Sequence, residues 1–174
     1  MGNPVLEAIS GRRSIRAYKP DQIKKEELEI LLKAAQEAPS AANLQPWHYS
    51  VLQNAEMIAE IQEESLKQMN EKGKDIFFKA PTVIFISCDP VSRWGRHDVG
   101  ITAENICLAA HAIGLGTVML GRAEPAFNGP KGDHFAKLLK FPEGYKYAVA
   151  ISVGYPAGSK EAHPIAPGRI DYIE

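Results

Sequence analysis

In five stretches of the chain apolar residues recur at helical spacing, and in four shorter ones they alternate or run unbroken. The first helix is predicted from Asn3, an N-cap followed by Pro4 at the first helical position. Val5, Leu6 and Ile9 form its apolar stripe, and Gly11 is expected to close it in a left-handed conformation. Lys25 to Ala38 carries Leu28, Leu31, Leu32 and Ala35 on one face, with Glu26, Glu27, Glu29 and Lys33 on the other. Pro39 ends it. Ala55 to Asn70 gathers Met57, Ile58, Ile61, Leu66 and Met69, and Asn70 at its end suits either a cap or a ligand contact. Asp98 to Ile113 opens on an acidic residue that complements the helix dipole and is apolar or small almost all round. Such a helix is the centre of a domain or of a subunit interface, and periodicity does not separate the two. Asp133 to Leu139 is a short fifth helix.

The strands read differently. Trp47 to Gln53 alternates, as a half-buried strand does. Thr82 to Asp89 and Tyr147 to Val153 are apolar at nearly every position, which predicts burial on both faces. Thr117 to Leu120 follows Gly114-Leu115-Gly116. Those glycines come after a helix and before a strand, the reverse of a dinucleotide-binding fingerprint, so that motif is excluded. Lys72 to Lys79 reads as a connector, Ala126 to Gly132 as a loop, and Ala157 to Glu174 as an extended arm or a frayed tail. The order of elements is not a regular βαβ alternation. It predicts one α+β domain over residues 1–174, with a central sheet covered by helices on both faces.

Composition narrows the function classes. The chain has 174 residues, 45% hydrophobic and 24% charged, with a net charge of −1. Nothing in that balance draws the molecule to nucleic acid or to anionic lipid, so any anion recognition must be local. No apolar run approaches the length of a membrane span, and Glu7 and Arg12 to Arg16 interrupt any N-terminal signal core. Cys88 and Cys107 lie in apolar surroundings without a CxxC spacing, which fits two thiols in a reducing cytoplasm. The five histidines show no i, i+4 pairing, and no metal site is expected.

Two segments carry candidate chemistry. Arg12-Arg13-Ser14-Ile15-Arg16 places three guanidiniums and a hydroxyl in five residues. That is a solvated charge run or a phosphate site, and the segment alone does not decide. Ala38 to Tyr49 (APSAANLQPWHY) joins a helix to a strand. Its composition fits a plain polar loop bounded by prolines. Its small residues and amides also suit the wall of a flat heterocycle with donors and acceptors on its edge.

Taken together, these stretches resemble the nitroreductase family of flavin enzymes. The resemblance rests on Arg12-Arg13-Ser14-Ile15-Arg16, on Pro39-Ser40-Ala41-Ala42-Asn43-Leu44-Gln45-Pro46-Trp47, and on Asp98 to Thr117. It continues with Leu120-Gly121 and with Leu139 to Pro156, in the right order over most of the chain. It implies a mixed, mainly antiparallel sheet in a three-layer fold, and an FMN-dependent oxidoreductase that takes electrons from NADH or NADPH. It further implies a homodimer with FMN at the subunit interface, and ping-pong transfer to nitroaromatics, quinones or related small-molecule acceptors.

By that resemblance Arg12, Arg13, Ser14 and Arg16 hold the phosphate and ribityl chain, joined by Arg169 or Lys160 from the C-terminal arm. Pro39, Ser40, Ala41 and Asn43 meet the ring from the other subunit. Asn70 bonds the ring edge, and Leu120 and Gly121 lie against the isoalloxazine. No side chain is assigned as a catalytic acid or base, because the cofactor carries the chemistry. The segment between Gly121 and Phe141 is short where larger members have an extra helical excursion, which leaves acceptor choice open. Two alternatives remain at this level: a flavin-storing or sensing protein without turnover, and a flavin-fragmenting or dehalogenating relative.

Overall fold

The two unbroken apolar runs form the middle of the sheet. The computed structural model describes residues 2–173. Its strands are β1 (Trp47–Leu52), β2 (Thr82–Cys88), β3 (Gly116–Leu120) and β4 (Lys146–Gly154), in the spatial order β1-β2-β4-β3. All three ladders are antiparallel. The parallel component expected of a mixed sheet is one isolated bridge, Ser14 to Thr117.

Alternation explains why β2 is buried throughout. Val83 and Phe85 point into one core with Ile61, Leu66, Phe77, Phe135 and Ala150. Ile84 and Ile86 point into the other with Leu31, Ala35, Val99, Ala103, Ile106 and Ile151. Helices α3 (Ala55–Gln68), α5 (Glu124–Asn128) and α6 (Gly132–Leu138) cover the first face. Helices α2 (Lys25–Gln36) and α4 (Gly95–Ala112) cover the second, and α1 (Pro4–Gly11) lies against α4.

Several local expectations change. Asn3 does cap α1, its side chain accepting the amides of Val5 and Leu6. Gly11, however, ends the helix without a positive φ. Its value is close approach, since a Cβ there would sit 2.6 Å from His111 Nε2. Residues 124–128 form α5, where the sequence reads as a loop from Ala126; five residues are too few to show a period. Gly114 is the left-handed residue after α4, with φ +83°. Leu115 and Gly114 donate to the carbonyls of Ala110 and His111 in a paired C-terminal cap.

Candidate functional site

The arginine segment runs beside β3. Ile15 donates its amide to the Thr117 carbonyl at 2.9 Å, and Gly116 makes room for it: a Cβ there would meet the Ile15 side chain at 3.0 Å. The start of the C-terminal arm is zipped to the same segment, because Ala157 and Lys19 donate to the carbonyls of Ala17 and Tyr155, each at 2.9 Å. This brings residues 158–165 over Arg12 and Arg13. Two adjoining cavities of about 470 Å³ each result, and Arg12, Arg13, Lys160 and Glu161 line both. Ser14, Ser10 and His163 complete one of them.

Three cations and a hydroxyl facing a cavity are the donor set for an anion such as a phosphate. Arg12 Nε lies 2.8 Å from Glu104 Oε1, yet its N–H is not aimed at that oxygen and stays without a hydrogen bond. That nitrogen is buried against α4, so only the outer edge of the guanidinium can face the cavity. Arg13 Nη1 bonds the carbonyls of Ser10 at 2.6 Å and Arg12 at 2.7 Å, tying it to the end of α1. Arg16 lies over the Phe78 ring at 5.8 Å. Arg169 sits on the exposed tail and lines neither cavity; Lys160 is the arm's cation that does.

Four residues along β3 from Thr117, at roughly 13 Å by strand rise, lies Gly121, exposed and with open space where a Cβ would be. Leu120 differs from expectation: its side chain is buried in the core, so only its backbone can face a ligand. Its carbonyl accepts the Tyr147 hydroxyl at 2.7 Å. Asn70 is the left-handed residue after α3, with φ 54°. Asn70 and Glu71 donate to the carbonyls of Lys67 and Leu66, so its backbone is a helix cap. Its side chain is exposed and lines a separate cavity of about 350 Å³.

The Asn70 turn is coupled to Gly121. Arg122 pairs with Glu71, Lys74 pairs with the same carboxylate at 2.9 Å, and Ser65 Oγ donates to the Arg122 carbonyl. Lys74, and after it Arg122, hold the Glu71 carboxyl below the usual carboxylate range. Sequence patterning gives no sign of this coupling, because the partners lie 51 residues apart.

Pro39, Ser40, Ala41 and Asn43 stand elsewhere. Ala41–Asn43 is a single 3-10 turn packed at the start of α4, where the Ala41 amide donates to Asp98 Oδ1 at 3.1 Å. Arg12 meets α4 at Glu104, and Gly11 meets it at His111. At 1.5 Å per helical residue the two segments are about 9–20 Å apart along the α4 axis. The two segments thus lie at different levels of one helix.

The Nitroreductase family pattern matches residues 9–155. The chain belongs to the nitroreductase family. A protein of Archaeoglobus fulgidus, named provisionally as an NADH dehydrogenase/NAD(P)H nitroreductase, is 37% identical over 164 residues, 90% of this chain and 87% of that one. A nitroreductase of Desulfitobacterium hafniense, solved with bound FMN, superposes with a TM-score of 0.93 at 30% identity, covering 100% of both chains. An FMN-dependent nitroreductase of Clostridium difficile superposes at 0.88, also at 30% identity, over 98% of this chain and 99% of that one. As a nitroreductase-family member, the chain has the α+β sheet with helices on both faces that its hydrophobic pattern predicts. Among the described residues no helix is long and apolar enough to cross a membrane.

Proposed function

We propose that the protein is an FMN-dependent NAD(P)H oxidoreductase of nitroreductase type, built as a single domain over residues 1–174. The observation that carries this reading is the pair of cavities lined by Arg12, Arg13 and Lys160, on a fold whose relatives include FMN-bound nitroreductases. The residues fit the group. Arg12, Arg13, Ser14 and Lys160 line one cavity and supply donors for a phosphate carrying close to two negative charges. Arg16 is assigned to the ribityl chain, and Lys160 takes the place in the arm that Arg169 would otherwise fill. Asn70 offers an exposed amide for a ring edge, and Gly121 and the Leu120 backbone offer a flat approach.

The separation of the Pro39 to Asn43 loop from the arginine segment supports a homodimer. Val5, Leu6 and Ile9 on α1 are 63%, 64% and 55% exposed, and Ile101 on α4 is 42% exposed. Isolated apolar side chains on a surface need no explanation, but a row of them beside an incomplete site points to a second copy. A two-fold axis across α4 would carry Pro39, Ser40, Ala41 and Asn43 of one subunit toward Arg12 to Arg16 of the other. The thiols of Cys88 and Cys107, both buried and unpaired, suit the reducing cytoplasm as the place of action.

Bound FMN would supply two-electron exchange, taking a hydride equivalent from NADH or NADPH and passing it to a nitroaromatic, quinone or related acceptor. The chain's residues bind and orient; none is assigned to move a proton. Donor and acceptor share one open face in turn, which gives ping-pong kinetics. The purified protein should be yellow, should lose its colour on anaerobic mixing with NADH or NADPH, and should regain it with a nitroaromatic. A coloured protein that neither nucleotide bleaches would instead be a flavin-binding module. A colourless protein that takes up no added FMN would sink the whole reading.

A further inference from the structure

The turn between α2 and β1 holds an unfavourable shape. Ala42, Asn43 and Gln45 have φ of 50°, 54° and 48°, in the left-handed region where a Cβ crowds the backbone. Two side-chain bonds inside the loop travel with it: the Gln45 amide donates to Ser40 Oγ, and the Gln45 side chain donates to Asn43 Oδ1, each at 3.0 Å. They cannot place it on the body. Two others can. Asp89 donates its amide to the Pro46 carbonyl at 2.9 Å, and Asp98 Oδ1 accepts the Ala41 amide at 3.1 Å. The Asp98 bond is the one that reaches the small-residue end of the loop.

Asp98 is 3% exposed, and its second oxygen, Oδ2, is buried without any partner. A buried carboxylate with an unsatisfied oxygen costs stability. Its place in the first turn of α4 offsets part of that through the helix dipole, but an exposed acid would gain the same without the burial. The feature left to account for is its direction, toward a strained loop, with the strength of a charge-assisted bond.

We propose that Asp98 is a positioning residue: by holding the Ala41 amide it sets the Ala42–Asn43 turn in the shape that meets the flavin ring of the other subunit. This rests on the reading of the protein as an FMN-binding dimer. Asp98 touches neither cofactor nor substrate in this scheme; it acts through Ala41.

The test uses FMN-loaded wild type, Asp98→Ala and Asp98→Asn. It reads the FMN release rate, the position of the blue absorbance band, and amide exchange across residues 39–45. Loss of a charge-assisted bond should speed FMN release about tenfold in Asp98→Ala, shift the band and accelerate exchange at Ala41. Asp98→Asn, which keeps one acceptor oxygen, should restore most of the wild-type release rate and spectrum. A purely structural role would lower thermal stability in both variants and leave the band where it is, and that result overturns the proposal. Should Asp98→Ala not fold, Ala41→Pro removes the donor from the loop side of the same bond. Unchanged release in that variant equally overturns the proposal. Wild-type protein that takes up no FMN refutes the underlying reading instead, and does so before any substitution is made.

Discussion

Tyr49 shows how one side chain ties three elements together. The hydroxyls of Tyr49 and Thr102 share a hydrogen bond at 2.6 Å, and both face the Ala35 carbonyl, at 3.2 and 2.7 Å. β1, α2 and α4 thereby share one polar contact inside an apolar layer. Burial pushes the Tyr49 hydroxyl up from 10.0 to about 12, against a smaller opposing effect of the Thr102 bond. Below pH 10 folded and unfolded chains both keep this proton, and the contribution to stability is complete. Between pH 10 and about 12 the unfolded chain loses it first, so stability falls as pH rises. Denaturation midpoints across that window should drop in wild type and drop less in Tyr49→Phe, which should also cost about 1 kcal/mol at neutral pH for the lost bond. Arg13 gives a second prediction at this scale. Replacing it with Ala should weaken FMN binding by roughly 1.5–3 kcal/mol through the lost phosphate contact, read as a rise in the FMN dissociation constant. It should also loosen the end of α1, because Nη1 ties the Ser10 and Arg12 carbonyls. Unchanged FMN affinity would move Arg13 off the phosphate. Of these side chains, the arginines were legible because charge and hydroxyl cluster locally in sequence. Gly11 was misread, since His111 is a hundred residues away and only the folded chain brings it so close that a Cβ on Gly11 would lie 2.6 Å from its Nε2.

At the scale of elements, α4 carries the lesson. Its sequence is apolar or small almost all round, and its pattern alone leaves open a domain centre or an interface. The structure gives it both kinds of face. Val99, Ala103, Ile106 and Ala110 are buried against the sheet and α2, while Gly100 and Ile101 stay exposed on the outer side. Patterning finds burial but does not say which chain supplies it. β2 was legible for the opposite reason: it is covered on both faces by its own chain, so its run of apolar residues has one meaning. α5 was not legible, because Phe127 and Ala126 sit between turn residues and gain their packing from α3, α6 and β4. If the outer face of α4 is the interface of the proposed dimer, Ile101→Asp should place an unpaired charge there. Sedimentation should then show a folded monomer with little retained flavin. A dimer of undiminished stability would take the interface away from this face.

At the scale of the whole molecule, the proposed site draws on groups of residues that one chain holds at different places. Arg12, Arg13, Ser14 and Lys160 converge in cis because β3 and the arm's first residues grip the same segment. The turn at Asn70 is tied to the residue after Gly121 by the Glu71–Arg122 pair. Pro39 to Asn43 stand apart from them, at the level of Asp98 on α4 where Arg12 is at Glu104. If the loop serves the partner's site, the two groups should be separable between subunits. Take one variant lacking Arg12 and Arg13 (both to Ala), and another in which Ala41→Trp blocks the loop. Each homodimer alone should fail to hold FMN. Mixed after dissociation and reassembled, half of the dimers should be hybrids, and each hybrid should have one site with both defects and one with neither. Flavin content should therefore recover to about a quarter of the wild-type sites by random pairing under two-fold symmetry. Recovery to that level means that each site draws on both chains. If the mixture stays colourless while sedimentation shows that hybrids have formed, the loop and the arginines serve the same chain's site, and the two-chain pocket is wrong.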